Sequence, residues 1–357
     1  MTAPRSSGPA LAVVGATGAV GSVLLQILSQ RADVWGGIRL IASARSAGRV
    51  LAVRAEDSEV IALTEDAFDG FGAGDVAIFL TPAEVSARWV PVVTARGAVV
   101  VDQSAAFRED PEVPLVVPEV NGYAARNRPR GIVAGPDCVT VAMIAALGAL
   151  HAEYALAELA VSSYQAAGAA GRAGSEALRR QLSLVAGTSL GEQPGDVRRA
   201  VGEDTGPFAA PLALNVVPWS GELREGGWSS HELAVRAQTR RILQLERLPV
   251  AVTCVQVPVV TGRSLTVRAR FDKKVDASHA REILRTAPGV VLVDDPAAGE
   301  FPTPADAAGT DPAWVGRVRA SLDDPYALEF FVCADNLRKG AALNATQIAE
   351  LIAGESA

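Results

Sequence analysis

Cys138 stands in Ala134-Gly135-Pro136-Asp137-Cys138-Val139-Thr140, between one apolar run of strand length and another of helix length. A thiol that follows a strand and opens a helix meets free N–H groups and the positive end of the helix dipole. Both favour its anionic, nucleophilic form. Cys254 and Cys333 complete the set of cysteines. They are too few and too scattered for a disulfide framework, and no zinc-type pair occurs. Most cysteines in such a chain are small buried hydrophobes, so the setting of Cys138 is what makes it a candidate.

A second chemical signal is Gly15-Ala16-Thr17-Gly18-Ala19-Val20-Gly21. Glycines let a backbone come close to a pyrophosphate, and a helix start supplies donors and positive potential for it. The turn sits between a strand-like run at 11–14 and a helical run at 20–28, as that mechanism requires. A third signal is Ser43-Ala44-Arg45-Ser46-Ala47-Gly48-Arg49, which follows the second strand-like run. NAD-binding domains usually carry an acid there for the ribose 2′-hydroxyl, whereas hydroxyls and arginines suit a 2′-phosphate. The expected cofactor is therefore NADP.

The elements that must position these groups are legible in outline. Short apolar runs at 11–14, 38–42, 76–80, 98–101 and 131–134 alternate with amphipathic stretches, which predicts a parallel sheet covered by helices. After Thr140 the rhythm changes. An apolar helix over 139–150 leads to a strand at 156–164 and a helix from 174 to 185. Residues 186–230 are rich in Gly and Pro and read mostly as loop. Strands follow at 250–260 and 264–271. The second of these alternates Leu265, Val267, Ala269 and Phe271 with Thr266, Arg268 and Arg270, the pattern of a half-buried antiparallel strand. A final helix spans 340–353. The 357 residues suffice for two domains, and a net charge of −7 argues against a nucleic-acid surface. No apolar run is long enough to span a bilayer, and Met1 to Pro9 lacks the apolar stretch of a secretory signal, so a cytoplasmic protein is expected.

Together these motifs resemble the aspartate-semialdehyde dehydrogenase family. The resemblance is carried by the Gly15–Gly21 turn, the Ser43–Ser46 loop and the Phe107-Arg108 to Asn121 segment. It continues through Ser163-Tyr164-Gln165-Ala166, Asn215-Val216-Val217-Pro218, Pro302-Thr303-Pro304 and Val315-Gly316-Arg317. It is most specific in Asp335-Asn336-Leu337-Arg338-Lys339-Gly340-Ala341-Ala342-Leu343-Asn344. It implies an α/β fold with a Rossmann-type, parallel-sheet NADP-binding domain (10–137 plus 337–357) and an α+β catalytic and dimerisation domain (138–336). It also implies a homodimer or homotetramer and a reversible phosphorylating aldehyde dehydrogenation. L-aspartate 4-semialdehyde, phosphate and NADP+ would be interconverted with L-aspartyl 4-phosphate and NADPH.

By the same resemblance Cys138 is the nucleophile and Gln165 orients the substrate. Arg108 holds phosphate, and Glu232 contacts substrate. Gly15, Thr17, Gly18, Ala19, Val20, Ser43, Arg45, Ser46, Gly168 and Asn336 bind cofactor, and no metal is implied. The chain departs from the pattern at several of these places. Arg263 occupies the position of the acid–base histidine, and a guanidinium cannot accept a proton near neutrality. Gln256 replaces an arginine for the substrate carboxylate, Ala234 a phosphate-binding lysine, and Asp137 an asparagine. Thr81-Pro82-Ala83 replaces an Ala-Gly-Gly run, and the proline removes an N–H. His231, at a helix start, is most simply a surface residue and alternatively a displaced base. Two further readings stay open: a member that binds NADP without turnover, and a related Cys-dependent reductase acting on another aldehyde or acyl substrate.

Overall fold

The computed structural model describes residues 8–31 and 34–355, so most of the N-terminal segment from which the leader reading was made lies outside the described residues. Two compact units are found, Met1–Asp137 with Gly340–Ala357, and Cys138–Lys339. The second crossing between them falls at Lys339/Gly340.

The first unit opens with β1 (Ala10–Val14), α1 (Ala19–Gln30) and β2 (Gly37–Ala42). It continues with β3 (Val50–Val53), β4 (Glu56–Ala62), β5 (Val76–Phe79), α2 (Ala83–Thr94), β6 (Val99–Asp102), α3 (Pro118–Asn121) and β7 (Ile132–Ala134). The strands form one sheet in the order β3-β4-β2-β1-β5-β6-β7. Every pairing is parallel except the hairpin of β3 with β4. The chain order reverses at β1, between β2 and β5, and ligands of such sheets bind beyond the carboxyl ends of the strands at that switch. Leu24, Leu25, Ile27 and Leu28 recur at helical spacing on α1 and are buried with Leu11, Val13 and Ile78 of the sheet.

The second unit begins with α4 (Cys138–Tyr154) and β8 (Leu156–Gln165). Then come α5 (Gly171–Val185), α6 (Asp196–Val201), α7 (Ser230–Leu243), β9 (Val250–Gln256), β10 (Arg263–Phe271), α8 (Ala277–Thr286), β11 (Val290–Leu292), α9 (Pro304–Ala307), β12 (Ala313–Ala320) and β13 (Ala327–Ala334). Its mixed sheet runs β11-β12-β13-β10-β8-β9. β10 is antiparallel to both β8 and β13, as its alternation predicts. β9 ends at Gln256 rather than continuing to 260, because Pro258 has no N–H to give a ladder. α4 has apolar residues round its whole circumference and is buried from Val139 to Leu147. It packs on β8, β10, β12 and β13 and against α7 and α8, which makes it the central support of this unit.

The chain then returns to the first unit. A π-helical turn, Arg338–Leu343, precedes α10 (Asn344–Ala353), so the α-helix begins later than 340. Ala345, Ile348, Ala349 and Ile352 of α10 join the core of the first sheet. Among the described residues no helix is long and apolar enough to cross a membrane.

Candidate active site

The cofactor elements of the first unit gather beyond β1 and β2. Gly15 has φ +94°, and a Cβ there would lie 2.5 Å from the Leu80 carbonyl oxygen, so the turn admits no side chain. Gly18 caps α1 with no side-chain bond, and the first turn holds no acidic residue. The N–H groups of that turn have no intrahelical partner by construction and face no carboxylate of their own helix. Ser43 to Ser46 follow β2, with Ala44–Ser46 forming a single 3₁₀ turn. The Thr17 hydroxyl donates to Ser46 Oγ at 3.3 Å, which ties the two loops together. Ser43 and Arg45 are exposed. These residues fit a nicotinamide dinucleotide: an anion-ready helix start and a basic, hydroxyl-rich loop in place of the ribose acid. Thr81 Oγ1 lies 2.8 Å from Ser86 Oγ, and Pro82 caps α2. The altered loop after β5 thus serves as a helix start.

Arg108 braces the strand ends that precede Cys138. Its Nε donates to the Gly135 carbonyl at 2.8 Å and its Nη2 to the Gln103 carbonyl at 2.6 Å. Nη1 faces the Asp137 carboxylate at 3.9 Å. The guanidinium therefore has a structural task as well as the phosphate task expected of it, and Asp137 adds a charge that competes with an anion. Nearby, Asp102 is buried and accepts from Ser104 Oγ at 2.6 Å. Burial pushes its carboxyl above the ordinary value, against the lowering effects of the Ser104 and Ser86 hydroxyls and the Arg108 charge.

In the second unit the expected residues come together in one row across the sheet. Gln256 of β9 pairs in register with Gln165 of β8, Gln165 with Arg263 of β10, and Arg263 with Ala334 of β13. Arg263 is 2% exposed, and its Nε donates to Cys138 Sγ at 3.1 Å. Cys138 is the first residue of the buried α4, so its sulfur meets a guanidinium and a helix N-terminus at once. Cys254 and Cys333 are fully buried elsewhere, and burial followed by the nearby Asp306 charge pushes the Cys333 thiol up to about 12.

Gln165 is held from both ends. Its Nε2 donates to Ser163 Oγ at 3.1 Å, and its Oε1 accepts from Ser220 Oγ at 2.9 Å. Ser220 Oγ lies 2.7 Å from His231 Nδ1. Because the Ser220 proton goes to Gln165, the serine accepts from His231 Nδ1–H. His231 is thus half-buried and bonded into this chain rather than a plain surface residue. Ser220 has no place in the sequence motifs, and Ser163 enters them only as a neighbour of Gln165, without a role. Ser163 is two positions from Gln165 on the same face of its strand, a signal that was available. Ser220 sits in a Gly- and Pro-rich stretch 55 residues away and has no such signal.

The other expected residues have definite places. Glu232 closes a capping box with Ser229, its Oε2 accepting from Ser229 N at 2.9 Å and its Oε1 from Cys254 N at 3.1 Å. The carboxylate therefore joins α7 to β9. Gln256 Oε1 is buried with no hydrogen-bond partner among the described residues. Asn336 Oδ1 accepts from Gly262 N at 2.8 Å and fixes the turn that enters Arg263. Gly168 N donates to Val260 O at 2.9 Å, and a Cβ at 168 would lie 2.7 Å from that oxygen. No group of metal-ligating side chains occurs among the described residues.

Comparison with known proteins agrees with this arrangement. Residues 10–128 match a family model described as semialdehyde dehydrogenase, NAD binding domain, and residues 147–339 one described as semialdehyde dehydrogenase, dimerisation domain. The aspartate-semialdehyde dehydrogenase of Corynebacterium glutamicum is 43% identical, over 96% of this chain and 98% of that protein. The one from Aquifex aeolicus is 37% identical over 98% and 99%. Among solved structures, aspartate semialdehyde dehydrogenase II of Vibrio cholerae complexed with ASA superposes with a TM-score of 0.86. It is 32% identical and the match covers 97% of this chain and 98% of that one. Both halves thus carry the domains of the semialdehyde dehydrogenase class, a nucleotide-binding domain and a dimerisation domain. Within that class the chain belongs to the aspartate-semialdehyde dehydrogenase family.

Proposed function

We propose that the chain is an NADP-dependent aspartate-semialdehyde dehydrogenase. It would interconvert L-aspartate 4-semialdehyde, phosphate and NADP+ with L-aspartyl 4-phosphate and NADPH through a thioester on Cys138. The observation that carries this reading is the 3.1 Å contact of Arg263 Nε with Cys138 Sγ at the start of buried α4, in the same row as Gln165. Full-length relatives that bear the enzyme's name support it.

In this reading the Cys138 thiolate bonds to the aldehyde carbon. The bound nicotinamide supplies the hydride acceptor. A phosphate oxygen then bonds to the thioester carbon, and the carbon–sulfur electron pair returns to Cys138. Gln165, pinned by Ser163 and Ser220, has a second Nε2 hydrogen with which to orient the carbonyl. Arg108 faces the phosphate, and Glu232 and Gln256 the charged end of the substrate. Gly15 to Val20 take the pyrophosphate, and Thr17, Ser43, Arg45 and Ser46 the 2′-phosphate, which is why NADP is preferred over NAD. In the second unit, Gly168 and Asn336 are the residues that the resemblance assigns to the cofactor. The dimerisation-domain match supports a homo-oligomer, a dimer or tetramer of this chain.

A second reading rests on Gln256, a neutral amide where the resemblance places an arginine for the substrate carboxylate; its buried Oε1 has no hydrogen-bond partner among the described residues. A related Cys-dependent reductase acting on another aldehyde or acyl substrate would use that acceptor. Incubation with aspartate semialdehyde and NADP+ without phosphate separates the two. The first reading expects an aspartyl mass adduct on Cys138 that added phosphate releases. No adduct from this aldehyde, with one from an uncharged aldehyde, would favour the second.

A further inference from the structure

Arginine at position 263 puts a charge that does not titrate next to the sulfur that reacts. We propose that Arg263 is itself catalytic: its guanidinium stabilises the Cys138 thiolate and then the substrate oxyanion, so carbon–sulfur bond formation needs no proton transfer. The inference rests on the reading of Cys138 as the nucleophile.

The step balances without an acid or a base. A sulfur lone pair forms the bond to the carbonyl carbon, and the π pair of the carbonyl moves to oxygen. The negative charge leaves sulfur and arrives two bonds away. No proton is carried by the thiolate, and none has to be lost from the oxygen before the carbonyl re-forms. A guanidinium has five N–H donors in one plane. A planar guanidinium can hold a sulfur through one N–H and an atom two bonds further on through another. Preorganised cations aimed at developing charge are among the largest contributions to catalysis.

The side chain is seated for that task. Arg263 is the first residue of β10, held in register between Gln165 and Ala334. The turn before it is fixed by the Gly262 N to Asn336 Oδ1 bond at 2.8 Å. Arg263 is 2% exposed, and a buried cation is tolerated when an anion compensates it. Cys138 Sγ lies 3.1 Å from Nε, where a thiolate would be such an anion.

The test needs neither cofactor nor turnover. Iodoacetamide labelling of Cys138 is measured by mass spectrometry from about pH 6 to pH 9, a range spanning the ordinary histidine and cysteine titrations. In parallel, the rate at which acetaldehyde protects Cys138 from the label is followed in light and heavy water. The protein and its Arg263→Lys, Arg263→His and Arg263→Gln variants are compared. In the parent and Arg263→Lys both rates should vary by no more than about twofold across the range, because the cation persists. Aldehyde addition should be unchanged in heavy water. Arg263→Gln labelling should rise by roughly tenfold per pH unit below the ordinary thiol value. Arg263→His should acquire a break near about pH 6.5. Parent labelling that titrates like a free thiol would overturn the proposal, as would aldehyde addition slowed in heavy water. Failure of the proposed reaction would show separately, as absent NADPH formation with both of these results intact.

Discussion

The guanidinium of Arg263 and the thiol of Cys138 lie 125 positions apart in the chain and 3.1 Å apart in space. The position that the family resemblance assigns to a proton-transferring histidine is occupied by a fixed cation in direct contact with Cys138, the proposed nucleophile. The loss of a base is thus a change in how charge is managed at the same sulfur. Gln165 lies beside Arg263 in the sheet register.

Ser220→Ala should disturb that glutamine more than it disturbs the fold. The substitution leaves Gln165 Oε1 without its donor and His231 Nδ1–H without its acceptor. A buried polar group left unpaired costs about 1–3 kcal/mol, so denaturant unfolding should show a loss of that order. The kcat should fall by about tenfold or more if the amide turns away from the carbonyl, since misplacement near the chemistry is costly. An unchanged kcat together with the stability loss would reduce Ser220 to a packing role.

Arg45→Ser should shift cofactor preference. Arg45 is exposed on the turn after β2, where a 2′-phosphate would be held by charge-assisted bonds. The KM for NADP+ is expected to rise by about tenfold or more, one lost charged contact being worth about 1.5–3 kcal/mol. The KM for NAD+ should barely move. Parallel changes for both cofactors would show that Arg45 does not read the phosphate.

Asp102 gives a pH dependence with a definite sign. Burial raises its carboxyl above the ordinary 3.8, so its contribution to stability is fully present below that value and is lost as pH rises through the folded-state value. Asp102→Asn does not titrate there. The stability of the Asn variant relative to the parent should therefore increase from acid toward neutral pH in urea unfolding, whatever the constant offset from its altered bond to Ser104. A relative stability that falls over that interval would contradict the assigned direction.

What could be read from the sequence was local. The Gly15–Gly21 turn, the Ser43–Ser46 loop and the strand-to-helix setting of Cys138 each lie within a few residues, where side-chain type and backbone geometry report on each other. The antiparallel β10 was legible because Leu265, Val267, Ala269 and Phe271 alternate cleanly. β12 and β13 were not. In β12, Arg317 and Arg319 bracket Val318, and the register shifts between Gly316 and Arg319, which breaks the period-two signal. The β3–β4 hairpin is short and largely polar in its second strand, so it passed as loop. Contacts made by long-range pairing, such as Ser220 with Gln165 or Asn336 with Gly262, have no local signature at all. The same holds for Glu232: its acidic type pointed to substrate, while its capping box with Ser229 and its bond to Cys254 N show a structural duty that a pattern at i, i+3 only half announces.

The most direct test of the central claim is NADPH formation by the purified chain with L-aspartate 4-semialdehyde, phosphate and NADP+, run beside Cys138→Ser. The account predicts phosphate-dependent NADPH formation in the parent and none above background in the variant. NADP+ binding without NADPH formation in the parent, or a rate that survives Cys138→Ser, would contradict it.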